Sequence, residues 1–414
     1  MQEHQGLVGG NLETAAAGGA DQHVVDAYEI VAQLGEQSAV ALVGSWRKPV
    51  LLGAAHPAHR ILASTLAQRT RVARRFRFRC LAIEIALVQR HARIIAAQRG
   101  EAVGGTVIGA WEQDVRIGID VGGTKIEGIA LGEHGETLAR ARVPTPRGSY
   151  PDTLSAITGL VDGFERTLAR RGTVGVGIPG TISPASGLVK NANSVWMIGK
   201  PLEEDLSAAL GRPVRLANDA NCFTLSEATD GAAAGAEVVF GVIIGTGTGG
   251  GVVVRGHVMT GPNGVAGEWG HNPLPWPEPA ELPGAPCYCG RVGCIETFLS
   301  GPGLSRDYEG QTGHALAAHQ IAERAGHGDT AAIASLGRYE HRLSRALATI
   351  INVLDPDVIV LGGGLSNLAR LYDRVPALWG SWVFSDRVDT RLVAPQHGDS
   401  SGVRGAAWLW ELHA

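Results

Sequence analysis

The sequence predicts an α/β protein of two domains with a ligand cleft between them, and three observations predict it. Short, almost wholly apolar runs such as RIGIDV (116–121), VGVGIPG (174–180) and VVFGVIIG (238–245) read as buried strands. These runs lead into glycine-rich or small polar turns rather than into long polar linkers. The order strand, turn, helix recurs in both halves, which places ligands at the strand ends.

Taken in order, RIGIDV, IEGIAL (126–131) and TLARARVP (137–144) form a meander. A helix follows from about Pro151 to Arg170, then the strand VGVGIPG, then a strand around VRLAND (214–219) that enters a helix ending near Gly231. VVFGVIIG and GGVVVRG (250–256) make a second strand pair. After a loop-rich stretch come helices near 313–325 and 329–353, a strand in PDVIVLGGG (356–364) and a closing helix near 403–412. The expected domains are 116–232, joined by a C-terminal helix at 402–414, and 233–401, which carries a metal-binding loop.

Upstream of Val115 the texture changes. Residues 1–114 hold no strand–turn–helix unit, and the segment from Arg60 to Arg99 carries ten arginines against one acid, Glu84. Three readings stay open: a DNA-binding arm, a disordered extension, or a start site placed too far upstream, since a GTG codon reads as valine internally and Val115 directly precedes the first strand. A helix-turn-helix needs two amphipathic helices around a glycine-containing turn, and none is found there.

A net charge of −4 gives the chain no general affinity for polyanions. The most apolar run, Val238 to Val254, is broken by glycines and two threonines, so it reads as strand–turn–strand rather than a membrane span. No basic region followed by an apolar stretch marks a secretory signal, so the expected location is cytoplasmic. In that reducing setting, three cysteines within eight positions suggest a metal rather than disulfides.

The chemistry concentrates in a few turns. DVGGTK places Asp120, Gly122, Gly123, Thr124 and Lys125 after a buried strand. The glycines allow backbone amides to face phosphate oxygens, Asp120 suits Mg²⁺, and Thr124 and Lys125 donate to phosphate, although a plain hairpin turn explains a Gly-Gly pair as well. GTGTGGG repeats that logic with Gly245, Thr246, Gly247, Thr248 and Gly249. Two such loops suit a nucleoside triphosphate held between two domains. Gly362, Gly363 and Gly364 end a strand and let backbone pass close to a flat group such as adenine, or simply form a tight turn.

On the acceptor side, LANDANC contributes Asn218 and Asp219. Phosphoryl transfer requires a carboxylate on the attacking hydroxyl, which suits Asp219, while Asn218 orients a neighbouring hydroxyl; either could instead cap the helix that follows. His271 with Cys287, Cys289 and Cys294 has the spacing of a Cys₃His structural zinc set. Such a site would pin Glu268 and Glu296 to accept from sugar hydroxyls, with the second ring nitrogen of His271 also facing the sugar. Asn191 and Asn193 are weaker pocket candidates beside Trp196, and Cys80 and Cys222 are assigned no role.

With these motifs assembled, the chain from Arg116 onward resembles the ROK family of sugar kinases and repressors, and within it the bacterial fructokinase branch. The resemblance is carried by RIGIDVGGTKIE, VGIPGTISPASGLVKNANSVW, RLANDANC, GEWGHNPLPW, CYCGRVGCIETFLSG, NVLDPDVIVLGGGLSN and HGDSSGVRGAAWLW. It implies an actin-like ATPase (ribonuclease H-like) fold, ATP and Mg²⁺ as phosphate source, Asp120, Gly122, Gly123, Thr124 and the 245–249 loop on the phosphates, and a homodimer. It implies Asn218, Asp219, Glu268, His271 and Glu296 on the sugar, and His271 with the three cysteines on zinc. Only the resemblance selects fructose; the residues themselves suit mannose, glucose or an N-acetylhexosamine equally. ROK repressors bind sugars without phosphorylating them, and the intact phosphate loops and Asp219 favour the kinase. An inactive sugar-binding protein would turn over no ATP with any hexose.

Overall fold

A computed structural model describes residues 115–192 and 194–410. The extension 1–114, Asn193 and the last four positions lie outside the described residues, and so do the three readings of that extension.

The first sheet is built from β1 (Arg116–Val121), β2 (Lys125–Leu131), β3 (Thr137–Pro144), β4 (Thr173–Ile178) and β7 (Val214–Asn218) in the order β3-β2-β1-β4-β7. Its first three strands are antiparallel, while β4 and β7 continue parallel to β1. A small ribbon, β5 (Thr181–Ile182) with β6 (Val189–Lys190), lies between β4 and β7 in the chain. Helix α1 (Tyr150–Leu168) begins where the Ser149 hydroxyl accepts from the Asp152 amide and ends where Ala169 turns left-handed. Helix α2 (Leu202–Leu210) buries Leu202, Leu206 and Leu210, a four-residue spacing that puts one stripe on the core.

After α3 (Asp219–Thr229) the same plan repeats. β8 (Val238–Ile244), β9 (Thr248–Val254), β10 (His257–Val258), β11 (Val358–Gly362) and β12 (Arg391–Val393) order as β10-β9-β8-β11-β12, again an antiparallel half followed by a parallel one. The stretch expected as loop ends in α4 (Ile295–Leu299) and α5 (Gly301–Thr312); Gly313, at φ 71°, stops α5 before α6 (Ala318–Gly326). Helix α7 (Thr330–Leu354) is capped by Asp329, and its buried Leu336, Tyr339, Leu343, Ala346 and Leu347 form the centre of the second core. α8 (Arg370–Trp379) and α9 (Ser401–Ala407) complete the described chain, α9 being shorter than the expected 403–412. Among the described residues no helix is long and apolar enough to cross a membrane.

Helix α9 returns from the second half to pack on β1, β4 and α3, and glycine makes this approach possible. A Cβ on Gly405 would lie 1.6 Å from the Cys222 carbonyl oxygen, and one on Gly118 would lie 2.1 Å from that of Val403. Backbone meets backbone here, so no side chain can yield. Gly405→Ala is expected to cost roughly 3 kcal/mol or more. Chemical unfolding of the variant measures it; an unchanged midpoint would show that the seam relaxes freely.

Candidate active site

The parallel strands β1, β4, β7, β8 and β11 all end at one cleft of about 660 Å³, the place where open α/β sheets bind ligands. Asp120 stands at the end of β1, and the following turn is closed by the Gly122 amide donating to the Lys125 carbonyl at 3.0 Å. The turn is tied down by its carbonyls: Thr145 Oγ1 donates to Gly122 O at 2.7 Å, the Thr145 amide to Thr124 O at 3.1 Å, and Arg147 Nε to Gly123 O at 2.8 Å. The Gly123 and Thr124 amides have no protein partner among the described residues, so these donors are available to an anion. Lys125 lies 3.6 Å from Glu127, a residue that pairs across the strands with Asp120.

Burial, with Asp219 and Glu127 nearby and against the opposing charge of Lys125, raises the Asp120 carboxyl to about 7. A half-buried acid at the cleft, pushed up by two other carboxylates, is a donor set that fits a divalent cation.

Asp219 opens α3 at the same cleft. Its carboxylate meets water through the cleft mouth, yet protein walls it closely, and this crowding governs its acidity. Burial raises its pKa and Glu268 adds to the effect, while hydrogen bonds from the Ala220 amide and Asn218 oppose. Asn218 is the helix cap: its Oδ1 accepts from the Ala220 amide at 2.9 Å and its Nδ2 donates to Gly180 O at 3.0 Å. Both ends of that amide are engaged by backbone, so its expected role on a sugar hydroxyl is not what its hydrogen bonds show.

The second glycine loop folds on itself and on Glu296. Gly245 donates to Gly247 O at 2.9 Å, and the Thr248 amide donates to Glu296 Oε2 at 3.0 Å. A Cβ on Gly247 would sit 2.7 Å from that same oxygen, and Gly249 O accepts from the Trp269 indole. Thr246 is exposed at the tip. Glu296, expected to accept from sugar, thus braces this loop with one oxygen. The three glycines at the end of β11 and just after it divide. Gly362 faces inward on the Phe223 ring, correcting its placement on adenine; Gly363, at φ 81°, lines the cleft with Ser366 and Asn367; Gly364 borders open space. The loop 245–249, Glu268, His271 and Glu296 do not form the walls of this cleft; Glu268 reaches it through its charge on Asp219.

His271, Cys287, Cys289 and Cys294 bring four ligand atoms within 4.8 Å of one another. His271 Nδ1 lies 3.5 Å from Cys287 Sγ, and the sulfurs of Cys289 and Cys294 are 3.6 Å apart. Tetrahedral zinc with ordinary bond lengths separates sulfur from nitrogen by about 3.6 Å and two sulfurs by about 3.8 Å, so the residues fit that ion. The other nitrogen, Nε2, expected to face the sugar, lies 2.9 Å from the Tyr288 hydroxyl with the rings edge-on. The loop bearing these ligands is anchored to α7 by the buried Glu281, which accepts from Arg342 and Arg345 at 2.7 Å.

Sequence reasoning passed over Arg147, Ser194, Tyr288, Ser366 and Asn367. Arg147 sits in a short turn with no motif around it, and Ser194 was passed over between Asn193 and Trp196; the clue at Ser194 is structural, a hydroxyl 2% exposed on the cleft wall with no protein partner among the described residues. Trp196 joins it there, its indole held by Thr153 Oγ1 at 3.1 Å. Asn193 lies outside the described residues.

Residues 116–412 match the model of the ROK family. The chain is 42% identical over 296 residues to an N-acetyl-D-glucosamine kinase of Photobacterium profundum, covering 70% of this chain and 98% of that protein. It is similar to the ROK hexokinase of Thermus thermophilus, with a TM-score of 0.64 and 30% identity over 71% of this chain and 97% of that one. It is also similar to a ROK family glucokinase of Streptomyces griseus solved with glucose and AMPPNP, with a TM-score of 0.59 and 28% identity over 71% and 98% of the two chains. With the actin-like two-sheet plan and these matches together, the chain belongs to the ROK family.

Proposed function

We propose that this protein transfers the γ-phosphoryl group of ATP to the 6-hydroxyl of a hexose, with N-acetylglucosamine the preferred acceptor. The observation that carries the kinase reading is the placing of Asp120, the free turn amides of Gly123 and Thr124, and Asp219 around one cleft. Asp219 takes the proton of the attacking hydroxyl, and its raised pKa makes it a stronger base for that task than an ordinary carboxylate. Mg²⁺, when bound, neutralises charge on the phosphates, and Asp120 is the residue to hold it. Asp120, Gly122, Gly123, Thr124, Lys125 and the 245–249 loop serve the nucleotide, and Glu268, His271 and Glu296 shape the sugar side. Because the second loop stands off the cleft walls, closure of lobe 116–232 with 402–414 onto lobe 233–401 brings the two sides together. A structural zinc on His271, Cys287, Cys289 and Cys294 holds the sugar-side loop.

The choice of sugar rests on the 42% identical relative, an N-acetyl-D-glucosamine kinase, rather than on the fructokinase-like strings, which implied fructose. Coupled ADP release across N-acetylglucosamine, N-acetylmannosamine, glucose, mannose and fructose tests both levels. A highest kcat/KM on fructose would overturn the acceptor assignment, and no turnover with any hexose would overturn the kinase reading.

The acidity of Asp120 makes a separate prediction. Its folded value of about 7 lies above its ordinary 3.8, so the folded chain holds a proton that the unfolded chain has released. Stability from this group is therefore full at low pH and is lost as pH rises towards 7. In chelator, the melting temperature should rise as pH is lowered from about 7.5 to about 5.5, and Asp120→Asn should flatten that slope. An unaltered slope in the variant would assign the dependence to another group.

A further inference from the structure

We propose that Arg147 grips the transferring phosphoryl group through its terminal guanidinium nitrogens. The inference rests on the kinase reading above and goes beyond it by naming the protein cation of the transfer.

Arg147 is the one cationic side chain on the cleft wall among the described residues, and it shares that wall with Asp120, Gly122, Gly123 and Asp219. The contrast with its neighbours is specific. Lys125, Arg140 and Arg142 all gather on Glu127, a buried carboxylate whose pKa the two arginines pull down against its desolvation. Arg147 has no carboxylate partner among the described residues. Its Nε donates to the Gly123 carbonyl at 2.8 Å, which tethers the guanidinium at the tip of the turn whose amides are free. The two terminal nitrogens remain, and nothing in the described protein takes their protons. A planar fork with Nε tied back and both ends free is pre-oriented for two oxygens of a phosphoryl group.

In the transfer, a bond forms between the sugar O6 and the γ-phosphorus while the bond from that phosphorus to the β–γ bridging oxygen breaks. The bond pair leaves with ADP, and the hydroxyl proton goes to Asp219. Charge on the three equatorial oxygens is then at its least solvated, and a tethered guanidinium stabilises it without having to reorganise.

The test compares wild type with Arg147→Ala and Arg147→Lys in steady-state assays on the hexose the panel selects. The expected result is a fall in kcat of roughly 10²- to 10³-fold for Arg147→Ala, a smaller fall for Arg147→Lys, and a sugar KM within about threefold of wild type. Millimolar guanidinium should restore part of the alanine variant's turnover, and its inhibition by the hexose 6-phosphate product should weaken. A kcat within threefold of wild type would overturn the proposal. So would a loss that guanidinium does not restore with product inhibition unchanged, since a residue that merely holds the turn behaves that way. A wild-type protein that turns over no hexose would instead refute the kinase reading on which the proposal stands.

Discussion

Replacing Asp219 by asparagine should lower kcat by about 10³-fold while leaving sugar binding within a few-fold of wild type. The cap of α3 is Asn218, whose Oδ1 accepts from the Ala220 amide at 2.9 Å; that amide also reaches Asp219 Oδ1 at 2.8 Å, a contact an asparagine oxygen can keep, so the helix should survive the change. Asparagine keeps the shape and loses the base. Loss of the charge also relieves Asp120, whose raised pKa owes part of its shift to Asp219, so the Asp120 titration should move down in the variant. Isothermal titration with sugar, alongside single-turnover kinetics, separates binding from chemistry. Near-normal turnover in Asp219→Asn would remove it from the proton transfer.

Stripping zinc should have the second largest effect. Cys287, Cys289, Cys294 and His271 are expected to hold one equivalent of metal, and chelation or Cys294→Ser should cost at least ~10²-fold in kcat/KM with a lower melting temperature. The loss would pass through geometry: the ligands sit on the loop whose Glu296 braces the Thr248 amide, and Cys287 Sγ lies 3.9 Å from the other oxygen of that carboxylate. Loosening the cluster should therefore raise the KM for ATP as well as for sugar. Metal analysis of protein purified without chelator checks the premise, and a chelated protein with unchanged kinetics would make the cluster irrelevant to catalysis.

Much of this was legible locally. The strands at 116–121, 238–244 and 358–362 stand where apolar runs meet glycine, because burial on both faces leaves such runs few alternatives. The cysteine spacing anticipated a cluster that the fold assembles with a histidine sixteen residues earlier in the chain. Helices α2 and α8 and strand β12 escaped notice because they are short and their pattern matters only against a partner surface. The partners of Asn218, Glu296 and the second nitrogen of His271 escaped for a related reason: a polar side chain's acceptor or donor is a neighbour in space, and three residues read as sugar contacts proved to be engaged by the protein itself.

The sequence by itself determined the fold class, the two glycine turns, the two acids Asp120 and Asp219 at strand ends that share one cleft, and the spacing of the His271, Cys287, Cys289 and Cys294 cluster. These depend on residue type and spacing along the chain. Only the tertiary structure decided that Gly362 packs on Phe223 while Gly363 lines the cleft, that Glu127 collects three cations, and that Arg147 is left at the 122–125 turn with no partner for its terminal nitrogens among the described residues. Such outcomes are set by what lies opposite a side chain once β1, β2 and β3 align, and no local window of sequence contains that information.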